Sequence, residues 1–127
     1  MKVSTVGYYK EMPHGGRSDI SILDFINKES EEYIEKICSY LDGGITFVVS
    51  PGSVDDVINP YNGVAGDTST YTDGEWFWPG DLSYYVRNYK LKLPDEFIAT
   101  MKRNDWRVAV TIDDLDCENI EVDGIKI

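Results

Sequence analysis

Residues 69–78, Ser-Thr-Tyr-Thr-Asp-Gly-Glu-Trp-Phe-Trp, place two β-rich arms around Asp73-Gly74. That dipeptide is a strong hairpin signal, because a two-residue turn needs positive φ at both central positions. The stretch predicts a β-hairpin over 69–78. Pro79-Gly80 then turns the chain. Asp81 is placed to cap a helix in which Leu82, Tyr85, Val86 and Tyr89 share one face. A hairpin that passes at once into an amphipathic helix restricts the chain to folds that pack helices on a sheet.

The flanking segments extend that reading. Residues 3–12 (VSTVGYYKEM) are β-branched and aromatic and predict a first strand, closed by Pro13-His14-Gly15-Gly16. The apolar patch 20–26 (ISILDFI) suits a short helix. Tyr33, Ile34, Ile37, Cys38 and Leu41 fall at helical spacing behind the candidate caps Asn27 and Ser30, with Glu31, Glu32 and Glu35 favourable to the dipole. Gly43 and Gly44 end that helix, and Ile45–Val49 reads as a short buried strand. Val54–Ile58 suits one helical turn, and 61–67 a loop. Pro94, at a first helical position, opens a helix with Phe97, Ile98 and Met101 on its apolar side. Trp106, Val108, Val110 and Ile112 alternate like a half-buried strand, and 120–127 alternates again around Asp123-Gly124. Helices and strands do not alternate regularly. The expectation is therefore an α+β fold, one mainly antiparallel sheet with three to four helices packed on it, in a single domain spanning 1–127.

Composition bounds the function. The 127 residues are 42% hydrophobic, enough for a core without staples, since a chain of this size buries roughly two-thirds of its unfolded surface. The net charge of −11 disfavours nucleic acid and anionic membranes as partners and favours a basic protein, although surface acid also serves solubility. Cys38 and Cys117 are too few for a disulfide framework and match no zinc spacing, and Cys38 falls on an apolar helix face. No apolar run is long enough to span a bilayer and the N-terminus has no signal-peptide stretch, so a cytoplasmic location is expected.

No residue set reads as catalytic. His14 is the single histidine, and nucleophile-elbow, P-loop and G-x-G-x-x-G patterns are absent. His14 reads as a turn residue, and a pairing with Cys38 or Cys117 would need an electropositive setting that this chain scarcely offers. Trp76, Trp78, Tyr84 and Tyr85 beside Asp73, Glu75 and Asp81 would suit sugar stacking, against the commoner reading of such aromatics as core. The run Asp113-Asp114-Leu115-Asp116-Cys117-Glu118 lacks the glycine and ligand spacing of an EF-hand loop, so neither a metal nor any other cofactor is expected.

VGYYKEMPHG, the YLDGG turn and TDGEWFWPGDLSYYVRNYKLKLPDEFIATMKRNDW together resemble a family of small bacterial proteins with a G-x-Y-x-E-x-P-H-G opening and a T-D-G-x-W-x-W-P-x-D-L-x-Y-Y-V core. The resemblance covers roughly residues 6–107, and its central stretch is the specific part. Small acidic proteins of this kind look like the cytoplasmic immunity proteins of bacterial toxin systems, including contact-dependent growth inhibition. The resemblance implies a protein that binds and blocks a cognate toxin domain, with Trp76, Trp78, Asp81, Tyr84 and Tyr85 defining the fold. Toxin domains of this kind are often basic nucleases, which an acidic surface can meet as a phosphate mimic.

The candidate contact residues are Asp113, Asp114, Asp116 and Glu118, with the loop carrying Asp55, Asp56 and Asp67 as an alternative surface. A carbohydrate or small-ligand module built on Trp76, Trp78, Tyr84 and Tyr85 is the rival reading, and a subunit-interaction protein or a cleft enzyme stands behind it.

Overall fold

The computed structural model describes residues 1–16 and 18–126. Its strands are β1 (Lys2–Thr5), β2 (Ile45–Val48), β3 (Ser53–Asp55), β4 (Val64–Asp67), β5 (Thr70–Thr72), β6 (Trp76–Pro79), β7 (Glu121–Val122) and β8 (Ile125–Lys126). The α-helices among the described residues are α1 (Glu31–Asp42), α2 (Leu82–Tyr89) and α3 (Asp95–Arg103), with short 3₁₀ turns at Ile22–Asp24, Pro60–Asn62 and Ile112–Asp114. The fold is α+β. A six-stranded sheet runs in the order β2-β5-β6-β1-β7-β8, and β3 and β4 form a separate two-stranded sheet.

The larger sheet is mixed, where a mainly antiparallel one was expected. β1 lies between β6 and β7 and runs parallel to both, while the β2–β5, β5–β6 and β7–β8 pairs are antiparallel. Alternation along a strand specifies its two faces but not its neighbours or their direction. The insertion of β1 is secured by Asp123, whose carboxylate accepts from the Thr5 backbone N–H at 2.8 Å and from the Thr5 hydroxyl.

The hairpin forms where the sequence places it, with Thr70 opposite Pro79, Tyr71 opposite Trp78 and Thr72 opposite Phe77. Its loop is longer than the expected two-residue turn. Gly74 has φ +93°, but Asp73 is not in the left-handed region. Asp73 instead accepts from the backbone N–H groups of Glu75 and Trp76 at 2.8 and 2.7 Å, a local side-chain bond that favours a wider turn. The tight turn occurs at the other Asp-Gly, between β7 and β8, where Asp123 and Gly124 have φ +51° and +85°. Ile127, the end of the alternation expected there, lies outside the described residues.

The hairpin sorts the core. Trp76 and Trp78 face the helices, and Phe97 of α3 packs against them at ring separations of 4.9 and 5.4 Å. Around these rings lie Ile37, Cys38, Tyr40 and Leu41 from α1 and Leu82, Tyr85 and Val86 from α2. Each large apolar side chain so buried contributes about 1.5–3 kcal/mol. Phe77 points to the opposite face, where it forms a smaller cluster with Val3 and Ile120 under Phe47.

Five local expectations are corrected. Ile45–Val48 is an edge strand with alternating exposure, so it is not buried. Segment 53–55 is strand rather than a helical turn, and 64–67, expected as loop, is its partner. Residues 106–112 do not form a strand. Asp105 and Trp106 both have positive φ, and the Trp106 N–H closes α3 on the Met101 carbonyl at 2.8 Å. Trp106 then stacks on Tyr33 with ring centroids 5.6 Å apart, so the apolar residues there answer to packing rather than to a ladder. Asp81 stands at the N-cap position of α2, but its side chain makes no capping bond.

Candidate functional site

The acidic segment is brought to the hairpin tip. Val110 and Leu115 approach Gly74, and a depression of about 360 Å³ opens there between Asp73-Gly74-Glu75 and the Asp114–Asp116 segment. Asp114 and Asp116 line it together with Asp73 and Glu75. Asp113 and Glu118 are exposed but do not line it. Asp114 accepts from the Thr111 N–H at 2.7 Å, and Asp116 accepts from the Glu118 and Asn119 N–H groups at 3.2 and 3.3 Å. These bonds fix the two carboxylates in place while Asp116 keeps about half of its side-chain surface open. Glu75 pairs with Arg103, and Asp73 is buried, accepting from the Tyr40 hydroxyl at 2.6 Å. Burial raises the Asp73 carboxyl above its ordinary value, against the opposing hydrogen bonds from Tyr40, Glu75 and Trp76. Glu75 and Asp73 were not read from sequence as part of this surface. Their separation from residue 114 in the chain hid a proximity that only the fold creates.

The alternative loop does not present a shared acidic face. Asp55 is exposed, but Asp56 is 1% exposed. Asp56 accepts from the Tyr84 and Tyr89 hydroxyls, the Asn62 amide and the Ile58 and Asn59 backbone N–H groups. Burial would raise its carboxyl, but the hydrogen bonds outweigh that and hold it down at about 2. Asp67 accepts from the Ser69 N–H and the Tyr71 hydroxyl at 2.9 and 2.8 Å. Asp56 is thus a bracket between β3 and α2 rather than a contact residue.

The aromatic group does not form a stacking platform. Trp78 and Tyr85 are 1% and 0% exposed, as their core reading requires. The Trp78 indole N–H donates to the Leu41 carbonyl, and that of Trp76 to the Thr100 hydroxyl. Tyr84 is committed to Asp56.

A different site joins two residues read separately as a turn and a cap. The His14 Nε2 lies 3.3 Å from an oxygen of Asp81, which is wholly buried. Both imidazole nitrogens and both Asp81 oxygens are buried without a hydrogen-bond partner among the described residues. His14 also lines a cavity of about 760 Å³ whose wall includes Val6, Tyr8, Tyr9, Phe25 and Leu93. The tight fit behind Asp81 requires glycine in β4, since a Cβ on Gly66 would come within 2.7 Å of the Asp81 Cα. The sequence signal was present in PHGG and PGD, but nothing along the chain pairs them.

The two thiols are separate. Cys38 is buried, donates to the Ser83 carbonyl at 3.5 Å and is pushed up to about 11 by burial, whereas Cys117 is exposed. No group of three or more His, Cys, Asp or Glu side chains among the described residues is arranged to hold a metal ion. No helix among them is long and apolar enough to cross a membrane. No protein-family model, curated protein or solved structure matches the chain.

Proposed function

We propose that this chain is a binding protein that neutralises a basic partner, in the manner of an immunity protein that occludes a nuclease-like toxin domain. The observation that supports it best is the depression at the hairpin tip. Asp114 and Asp116 meet Glu75 and Asp73 there across two distant segments. The net charge of −11 adds long-range attraction for a cationic surface. An arginine or lysine entering the depression meets carboxylates already oriented by backbone bonds, with Val110 and Leu115 against its aliphatic stem. The mechanism is steric occlusion with phosphate mimicry, and it uses no cofactor.

The test is association kinetics with the basic toxin domain encoded beside the chain's gene, together with protection of cells expressing that domain. Raising salt from about 50 to about 500 mM should slow association, because the Debye length falls to a few ångströms. Reversing Asp114 and Asp116 to lysine should slow it further, and reversing Asp113, outside the depression, should do less. An absent toxin partner, or association and protection untouched by the double reversal, would refute the reading.

A further inference from the structure

We infer that the cavity beside His14 binds a small organic amine, with its apolar body against Tyr8, Tyr9 and Phe25 and its ammonium answered by His14, which Asp81 backs from outside the cavity wall. The cavity's volume of about 760 Å³ lies in the range of small-molecule sites, which are apolar with a few placed polar groups. The Tyr9 and Phe25 rings stand 6.3 Å apart at a tilt, and Tyr8 meets the imidazole edge-on at 6.1 Å. Burial pushes the Tyr9 hydroxyl up to about 12 and raises Tyr8 as well, so these walls carry no phenolate at neutral pH.

The choice of an amine follows from a count of donors and acceptors. An ionised carboxylate only accepts, and a neutral imidazole offers one donor and one acceptor. With a neutral imidazole the four buried polar atoms offer three acceptors and one donor, so an incoming donor suits them better than an acceptor. A buried carboxylate in that position is costly until a positive or donating group answers it. The charges around the cavity point the same way. Lys92 is paired with Asp95 at 3.2 Å, whereas Asp123 is held by the neutral donors of Thr5 and faces no cation among the described residues that line the cavity. Among the described residues the surroundings are thus net negative, which repels an anion, and the aromatic faces favour a cation. Both ring nitrogens are covered, so seating the ammonium requires the imidazole to turn about its Cβ–Cγ bond. One nitrogen then stays toward Asp81 and the other meets the ligand.

The site is independent of the acidic depression, since Asp73, Glu75, Asp114 and Asp116 do not line this cavity. The test uses the whole ¹⁵N-labelled chain and three matched probes, phenethylamine, 2-phenylethanol and 3-phenylpropanoate, titrated by NMR at pH 7. Phenethylamine should shift the amides of Tyr8, Tyr9, Gly15 and Leu93 saturably and bind about tenfold more tightly than the alcohol, the difference expected of one charged hydrogen bond. The carboxylate should bind most weakly. Asp81→Asn should bring the amine to the level of the alcohol, and His14→Gln gives the same comparison should the first variant fail to fold. Equal binding of the three probes, preference for the carboxylate, shifts elsewhere on the chain, or amine preference surviving in a folded variant would overturn the assignment.

Discussion

The hydroxyl of Tyr40 donates to the Asp73 carboxylate at 2.6 Å, joining the last turn of α1 to the first residue of the hairpin loop. Both side chains are almost wholly buried, and Asn104 donates to the same hydroxyl at 3.1 Å. One phenol therefore ties α1, the loop and the end of α3 together. Tyr40→Phe should destabilise the fold by about 1–3 kcal/mol at pH 7, because it leaves a buried carboxylate oxygen and an amide without their partner. The sign of its pH dependence follows from Asp73. A carboxyl raised by burial favours the fold most at low pH, and that contribution is lost as pH rises through its folded value. Removing the Tyr40 donor raises it further. Urea unfolding should therefore show the deficit of Tyr40→Phe shrinking as the pH falls from 7 toward about 4, and a deficit that grows on acidification would contradict this account.

Gly74 is held at φ +93°, a conformation that β-branched residues resist. A Cβ there would meet Val110 and Leu115 only at 3.6 and 3.7 Å, ordinary contact distances. The penalty is thus one of backbone conformation rather than crowding. Gly74→Val should lower stability by over about 1 kcal/mol, and thermal unfolding at unchanged native circular dichroism would measure it.

Trp78→Ala should cost roughly 3–5 kcal/mol, since the ring is 1% exposed and touches Tyr40 and Phe97. Trp76 is only partly buried, so Trp76→Ala should cost less. Denaturant midpoints of the two variants give the order directly. The reverse order would mean that Trp76, not Trp78, is the more deeply packed of the two rings on that face.

Much of the architecture was legible because periodicity and turn chemistry are local. α1 starts at Glu31 and α3 runs from Asp95, one residue past the proline expected to begin it. Both Asp-Gly hairpins are present, with the tight turn at the second rather than the first. What could not be read was pairing at a distance. The parallel placement of β1 beside β7 brings Thr5 to Asp123 from across most of the chain. The failure at 106–112 has a local cause that sequence does not show, two successive left-handed residues closing α3. For the site, exposed Asp114 and Asp116 were visible as an acidic run, but Glu75 joins them only through the fold. Asp56 looked the same in sequence as Asp55, yet one is a structural acceptor and the other faces solvent.

Asp56 gives the sharpest test of that distinction. Its folded value of about 2 lies below the ordinary 3.8, because burial, which works against ionisation, is outweighed by the donors from Tyr89, Asn59, Tyr84 and Asn62. A depressed carboxyl contributes stability that is present above its unfolded value and lost as pH falls toward its folded one. The contribution should be on the order of 2 kcal/mol at neutral pH and should disappear between about pH 4 and pH 2. Asp56→Asn removes the charge and turns a donor group toward the Tyr84 and Tyr89 hydroxyls. The variant should be less stable than the parent at pH 7 by at least that amount, with the gap narrowing as the pH falls to about 2. Urea midpoints measured at pH 7, 4 and 2.5 would establish the trend. A gap that stays constant across that range would mean that Asp56 is not ionised against its tyrosines in the folded chain.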